Sequence, residues 1–107
     1  MDSAEQELIN EINIGTYKLL VDKRVLQNGE RQRQLTKKET ELLKYLALNA
    51  NKEVERFETL RNIWGKDTYK VGRSMDVFIC RLRKYLAEDS NIHIDNLRSL
   101  GFKLCVN

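Results

Sequence analysis

A chain of 107 residues with 41% hydrophobic and 33% charged side chains has the size and composition of one globular domain with a single core. No apolar run approaches the roughly 20 residues of a membrane span. The first eleven residues hold Asp2, Glu5, Glu7 and Glu11 and no base, so a secretory h-region is not expected and the cytoplasm is the expected compartment. The net charge of +3 becomes +7 over residues 12–107, a balance that favours polyanions without separating DNA from RNA or an anionic membrane.

Residues 1–11 read as the end of an interdomain linker, with the domain proper over 12–107. From Ile12 the hydrophobic period is two: Ile12 and Ile14 alternate before Gly15, Tyr17, Leu19 and Val21 before Asp22-Lys23, and Val25-Leu26 lead into Asn28-Gly29. Asn-Gly between short apolar segments predicts a hairpin with a type I′ turn, because both residues tolerate positive φ. Arg31 to Leu35 then form the returning strand of a small antiparallel sheet, one face of which is solvated.

Thr36 and Glu39 have the spacing of a capping box at the start of a first helix, in which Leu42, Leu43, Leu46 and Ala47 recur at helical spacing. Asn49-Ala50-Asn51 ends it, since Asn tolerates a left-handed C-cap. A second helix begins near Glu55 or Arg56, carries Phe57, Leu60, Ile63 and Trp64 inward or at its edge, and stops at Gly65. Lys66 to Gly72 read as a connector rich in turn residues.

The third helix spans 73–86, with Ser74 as its cap and Asp76 in its first turn. Met75, Ile79, Leu82 and Leu86 fall within a stripe about 60° wide, the pattern of a helix docked on a core. The opposite side carries Arg73, Val77, Cys80, Arg81 and Lys84, with Phe78 and Arg83 on the flanks. Guanidinium and ammonium groups around a small apolar residue suit a DNA major groove; a merely solvated charged face has the same pattern.

Ile92 and Ile94, a turn at Ser99 to Gly101, and Phe102, Leu104 and Val106 predict a closing β-hairpin. Cys80 and Cys105 are too far apart for a paired metal motif and His93 is the single histidine, so no zinc site and no cofactor are expected. Nothing groups as a nucleophile with its base or as paired carboxylates, and an enzyme is not expected. The fold class that follows is α+β: a winged helix-turn-helix with an N-terminal antiparallel sheet, three helices and a C-terminal β-hairpin wing.

Over residues 12–105 the chain resembles the C-terminal DNA-binding domain of OmpR/PhoB-type response regulators. The resemblance rests on Leu35-Thr36 with Glu39 and Leu42-Leu43, Arg56 eight residues before Trp64-Gly65, Arg73-Ser74-Met75-Asp76-Val77 with Ile79 and Arg81-Leu82-Arg83-Lys84, and Leu97-Arg98 with Gly101-Phe102-Lys103-Leu104. Met75-Asp76-Val77 and Lys84-Tyr85-Leu86 are most similar to an RprY-type subgroup.

The resemblance implies a DNA-binding set of Arg56, Trp64, Arg73, Ser74, Val77, Phe78, Cys80, Arg81, Lys84, Asn96 and Arg98. Within it, the third helix lies in the major groove of double-stranded DNA, Arg81 is suited to guanine and Val77 to a thymine methyl. Arg56, Trp64 and Arg73 approach the phosphate backbone, and Asn96 and Arg98 on the wing approach the minor groove. It further implies contact with RNA polymerase through residues 66–71, a phosphorylated receiver domain with its sensor kinase, a monomeric isolated domain, and a dimer on DNA in the full-length protein. Phe78, Cys80 and Ser99 depart from the family's usual residues.

Several side chains carry a second reading. Arg56 could serve an ion pair with an acid, and Arg83, nearer the buried stripe, is expected to pair with a carboxylate such as Asp76 or one in the first helix. Trp64 reads as both packed and partly exposed. Cys80 could act as a redox switch or simply be a tolerated small residue. The competing function is a winged-helix module whose Arg81 face binds an acidic protein; RNA is disfavoured because the aromatics form no stacking platform.

Overall fold

The computed structural model describes residues 9–98 and 100–107. The alternating N-terminal third forms a four-stranded antiparallel meander, in the order β1 (Glu11–Ile14), β2 (Tyr17–Leu20), β3 (Val25–Asn28) and β4 (Arg31–Gln34). Glu11 pairs with Leu20, so the sheet starts one residue before position 12; the expected linker otherwise lies mostly outside the described residues.

The β3–β4 turn differs from expectation by one position. Asn28 pairs with Arg31, which leaves Gly29-Glu30 at the centre, and of these two only Gly29 has a positive φ, of 64°. A type I′ turn needs both residues positive, so this is the type II′ pattern. The register is fixed instead by Leu19 opposite Leu26, both buried; a slip of one residue would turn Leu26 outward. β4 itself is exposed throughout.

The first helix, α1, spans Lys37–Leu48 and has the full capping box: Thr36 Oγ1 accepts from the Glu39 amide at 3.1 Å and Glu39 Oε1 accepts from the Thr36 amide at 2.8 Å. The left-handed residue after it is Asn51 (φ 65°) rather than the C-cap Asn49. Asn51 fastens this corner to the end of the chain, its side chain donating to Val106 O at 3.2 Å and accepting from Val106 N at 2.9 Å.

A strand too short to show a period, β5 (Glu53–Glu55), follows and pairs with the C-terminal hairpin of β6 (Ile92–Leu97) and β7 (Gly101–Val106). The wing therefore belongs to a three-stranded sheet of order β5-β7-β6. Gly101 permits this: its φ is 154°, and a Cβ there would lie 1.9 Å from Val54 O. The second helix, α2 (Arg56–Trp64), is capped by Glu55 and closed by the left-handed Gly65. Leu60 and Thr59 are buried, Ile63 and Trp64 half-buried, and Phe57 points outward at 49% exposure.

The third helix, α3, spans Tyr69–Tyr85 and begins before the expected start at residue 73. Thr68 is its cap, accepting from the Val71 amide at 3.4 Å; Ser74 and Asp76 lie in its second turn. A helical glycine costs about 1 kcal/mol, which is why Gly72 has the look of a connector residue. A cap of similar worth at Thr68 offsets that cost, and the helix runs through Gly72 with Val71 packed against the core.

All four residues of the stripe are buried, Met75 and Leu82 completely and Leu86 as the C-cap, in one core cluster with leucines of α1, Leu19 and Leu26 of the sheet, and Ile94 and Leu104 of the wing sheet. Asp89 stitches the two ends of the domain together, accepting from the Thr16 amide at 3.0 Å and from the Asn91 amide at 2.9 Å. These two hydrogen bonds hold its carboxyl below the usual carboxylate range. A carboxylate with a depressed folded-state pKa stabilises above its unfolded pKa, and that contribution fades as pH falls through the folded value. Asp89→Asn is thus expected to lower Tm at neutral pH, with the gap from wild type closing in acid; a gap independent of pH in thermal melts would contradict this role.

Candidate nucleic-acid interface

With its apolar stripe buried, α3 turns the other side to solvent. Arg73, Ser74, Val77, Cys80, Arg81 and Lys84 are all exposed, Val77 at 50%. Arg73, Lys84 and the wing-turn Arg98 are exposed and, among the described residues, have no carboxylate oxygen within 4.0 Å. Arg73 Nη1 donates to the Tyr69 hydroxyl, one turn back, at 3.2 Å.

Phe78 is half-buried and tilts against Trp64, with ring centroids 5.8 Å apart. Trp64 is packed and partly exposed, as expected, and Lys38 Nζ sits 5.8 Å from its ring while donating to Ile63 O. The Arg81 guanidinium lies 5.2 Å from the Phe78 ring centre, and its Nη1 is 4.0 Å from Glu39 Oε2.

Glu39 is legible in the sequence as a capping residue, yet the structure gives it a second role. Its Oε2 accepts from the Tyr85 hydroxyl at 3.0 Å, while Arg33 of β4 stacks 4.2 Å over the Tyr85 ring. Burial and then the carboxylate hydrogen bond push the Tyr85 hydroxyl pKa up, so Tyr85 stays a donor at neutral pH. One carboxylate, itself buried, thus joins α1 to α3 and lies at the edge of the Arg81 guanidinium, while the Tyr85 ring it holds carries Arg33 of β4. The contact between Tyr85 and Arg33 is not legible in the sequence, since it joins segments 52 residues apart.

Arg56 takes the ion-pair geometry. Its Nη1 and Nη2 donate to Asp76 Oδ1 and Oδ2 at 2.8 and 3.2 Å, bracing α2 against α3. A Cβ on Gly72 would lie 2.8 Å from Arg56 Nη2, so the glycine makes room for the guanidinium. Asn96 and Arg98 line, with Arg56 and Asp76, a shallow cleft between α3 and the wing. Ser99, the departure in the wing turn, lies outside the described residues. The expected 66–71 loop is shorter: Tyr69, Lys70 and Val71 already belong to α3.

Arg83 departs from expectation, because among the described residues it pairs with no carboxylate. Its Nε and Nη2 donate to Ile94 O at 3.0 and 2.9 Å, and Nη2 also donates to Asn96 Oδ1 at 3.1 Å. The physical reason is the topology: β6 is an edge strand, so a carbonyl on its outer side has no ladder partner, and Arg83 satisfies it. This clamp sets the distance from α3 to the wing.

Three helices, the last with a buried stripe and an open cationic face, and a hairpin fastened to that helix define a winged helix-turn-helix domain. A family model described as "Transcriptional regulatory protein, C terminal" matches residues 30–104. The transcriptional regulatory protein RprY of Bacteroides fragilis is 42% identical over 95 residues, covering 89% of this chain and 40% of its own length. The chain belongs to this family of C-terminal regulatory domains, of the OmpR/PhoB type.

Among solved structures, the DNA-binding domain of E. coli CadC superposes with a TM-score of 0.80 at 22% identity, covering 92% of this chain and 94% of that one. The Klebsiella pneumoniae RstA DNA-binding domain in complex with the RstA box gives 0.74 at 26% identity, covering 91% and 98%. The chain spans about 40% of the RprY length.

Arg83→Ala should loosen the wing, with faster amide exchange over residues 92–97, unchanged exchange in the centre of α3, and about 1–2 kcal/mol of stability lost. Unaltered exchange in β6 would show that the clamp does not hold the wing.

Proposed function

We propose that this domain binds double-stranded DNA sequence-specifically, as the output domain of a two-component response regulator that controls transcription. The observation that carries the reading is the exposed face of α3: Arg73, Arg81 and Lys84 stand around Val77 while the opposite stripe is locked into the core. A helix so held can enter a major groove without rotating away from it.

In this reading Arg81 donates its two forked N–H groups to guanine O6 and N7, prearranged by Phe78 and Glu39. Val77 meets a thymine methyl, Phe78 and Cys80 lie along the groove, and Lys84, Ser74 and Arg73 reach phosphates. The Trp64 indole N–H donates to the backbone, and Arg56 faces it while held by Asp76. Asn96 and Arg98 approach the minor groove from the wing.

The full-length protein is cytoplasmic, is switched by a receiver domain and a sensor kinase, and places two such domains on adjacent half-sites as a dimer. The isolated domain is a monomer, and the segment around residues 66–71 is a candidate contact for RNA polymerase.

Two substitutions separate the roles. Arg81→Ala should cost roughly 1–3 kcal/mol on a preferred site and relax the choice at one base pair. Equal loss on every sequence would make Arg81 a phosphate contact. Arg73→Ala should weaken all duplexes alike and reduce the slope of log K against log salt by about one; an unchanged slope in anisotropy titrations removes Arg73 from the backbone contacts.

A further inference from the structure

The outer face of the C-terminal sheet gathers three side chains of metal-ligating type that no local spacing connects. His93 and Asp95 are two residues apart on β6 and so share a face, and the register places Cys105 of β7 directly opposite His93. One donor atom from each of the three lies within 4.8 Å of the others. Asp95 stands between its neighbours: Oδ1 is 3.6 Å from His93 Nε2, and Oδ2 accepts from Cys105 Sγ at 3.5 Å.

Those separations are close to a coordination sphere. With bonds of about 2.0–2.3 Å in a tetrahedral complex, donor atoms sit roughly 3.3–3.6 Å apart. His93 and Cys105 each approach a different oxygen of the one carboxylate at about that spacing, and a single donor atom from each residue lies within 4.8 Å of the other two, so a small inward movement of these side chains would close the sphere. The backbone beneath is held on both sides: Asn107 N donates to Asn91 O at 3.0 Å, and Asn51 brackets Val106.

We propose that His93, Asp95 and Cys105 form a surface site for a zinc-class divalent cation, with water completing the coordination and the ion bridging β6 to β7 at the base of the wing. Thiolate with imidazole selects this class over magnesium or calcium. Thiolate and carboxylate together neutralise the ion's two charges, and the thiol proton leaves to solvent. Lys103 is the cross-strand neighbour of Asp95, with Glu53 on its other side.

The test uses the 107-residue chain, reduced and titrated with Co²⁺ in mildly alkaline buffer, with circular dichroism to verify that each variant is folded. The expected result is a thiolate-to-cobalt charge-transfer band with tetrahedral ligand-field bands, bleached by added Zn²⁺. Cys105→Ala should abolish the band, His93→Gln and Asp95→Asn should each weaken binding at least tenfold, and Cys80→Ala should leave it unchanged. Absence of the band in wild type, or its survival in Cys105→Ala, overturns the site. DNA affinity enters none of these readouts, so the result is independent of the function proposed above.

Discussion

Burial of the α3 stripe is the constraint on which the remaining geometry depends. Met75, Ile79, Leu82 and Leu86 are each at most 2% exposed, and hiding an apolar side chain of this size contributes roughly 1.5–3 kcal/mol. That outweighs any single surface contact of the helix, where exposed ion pairs contribute about 0–1 kcal/mol. Packing therefore sets the rotation of α3 about its axis, and rotation decides which residues face outward. The cationic face is a consequence of the stripe.

Polar ties then fix what packing leaves free. Arg56 with Asp76 sets α2 against α3, Arg83 with the Ile94 carbonyl sets α3 against the wing, and Glu39 with Tyr85 joins α1 to the C-terminal end of α3. Each tie uses one end of a side chain whose neighbours lie on the open face. In this way Arg81 and Val77 are displayed on a helix held on three sides, and Asn96 is oriented by the same guanidinium that anchors the wing. A surface of this kind enters a groove already shaped, with little ordering to be done on contact.

Much of this is legible in the residues. Alternation marks the N-terminal meander, the Thr36–Glu39 box marks the start of α1, and the spacing of Met75, Ile79, Leu82 and Leu86 marks the buried stripe, because each signal is local and periodic. The start of α3 is hidden because Gly72 looks like a breaker in sequence, whereas in the fold its missing side chain is what admits Arg56. β5 is hidden because three residues carry no period; it exists through pairing with β7, 46 or more residues away. Charge alone points Arg83 to a carboxylate, while the decisive fact, an unpaired edge carbonyl at Ile94, depends on strand order. The His93, Asp95 and Cys105 cluster is invisible for the same reason: only register brings Cys105 to His93.

The central claim is that the outer face of α3 reads bases. It is tested most directly by selection from a random duplex library at moderate salt, using two tandem-linked copies of the domain to offset weak monomer binding. A base-reading face predicts enrichment of a motif with two spaced half-sites, with a guanine whose selection disappears in the Arg81→Ala tandem. Bulk, salt-sensitive binding with no enriched motif would contradict it and transfer the cationic face to an acidic protein partner.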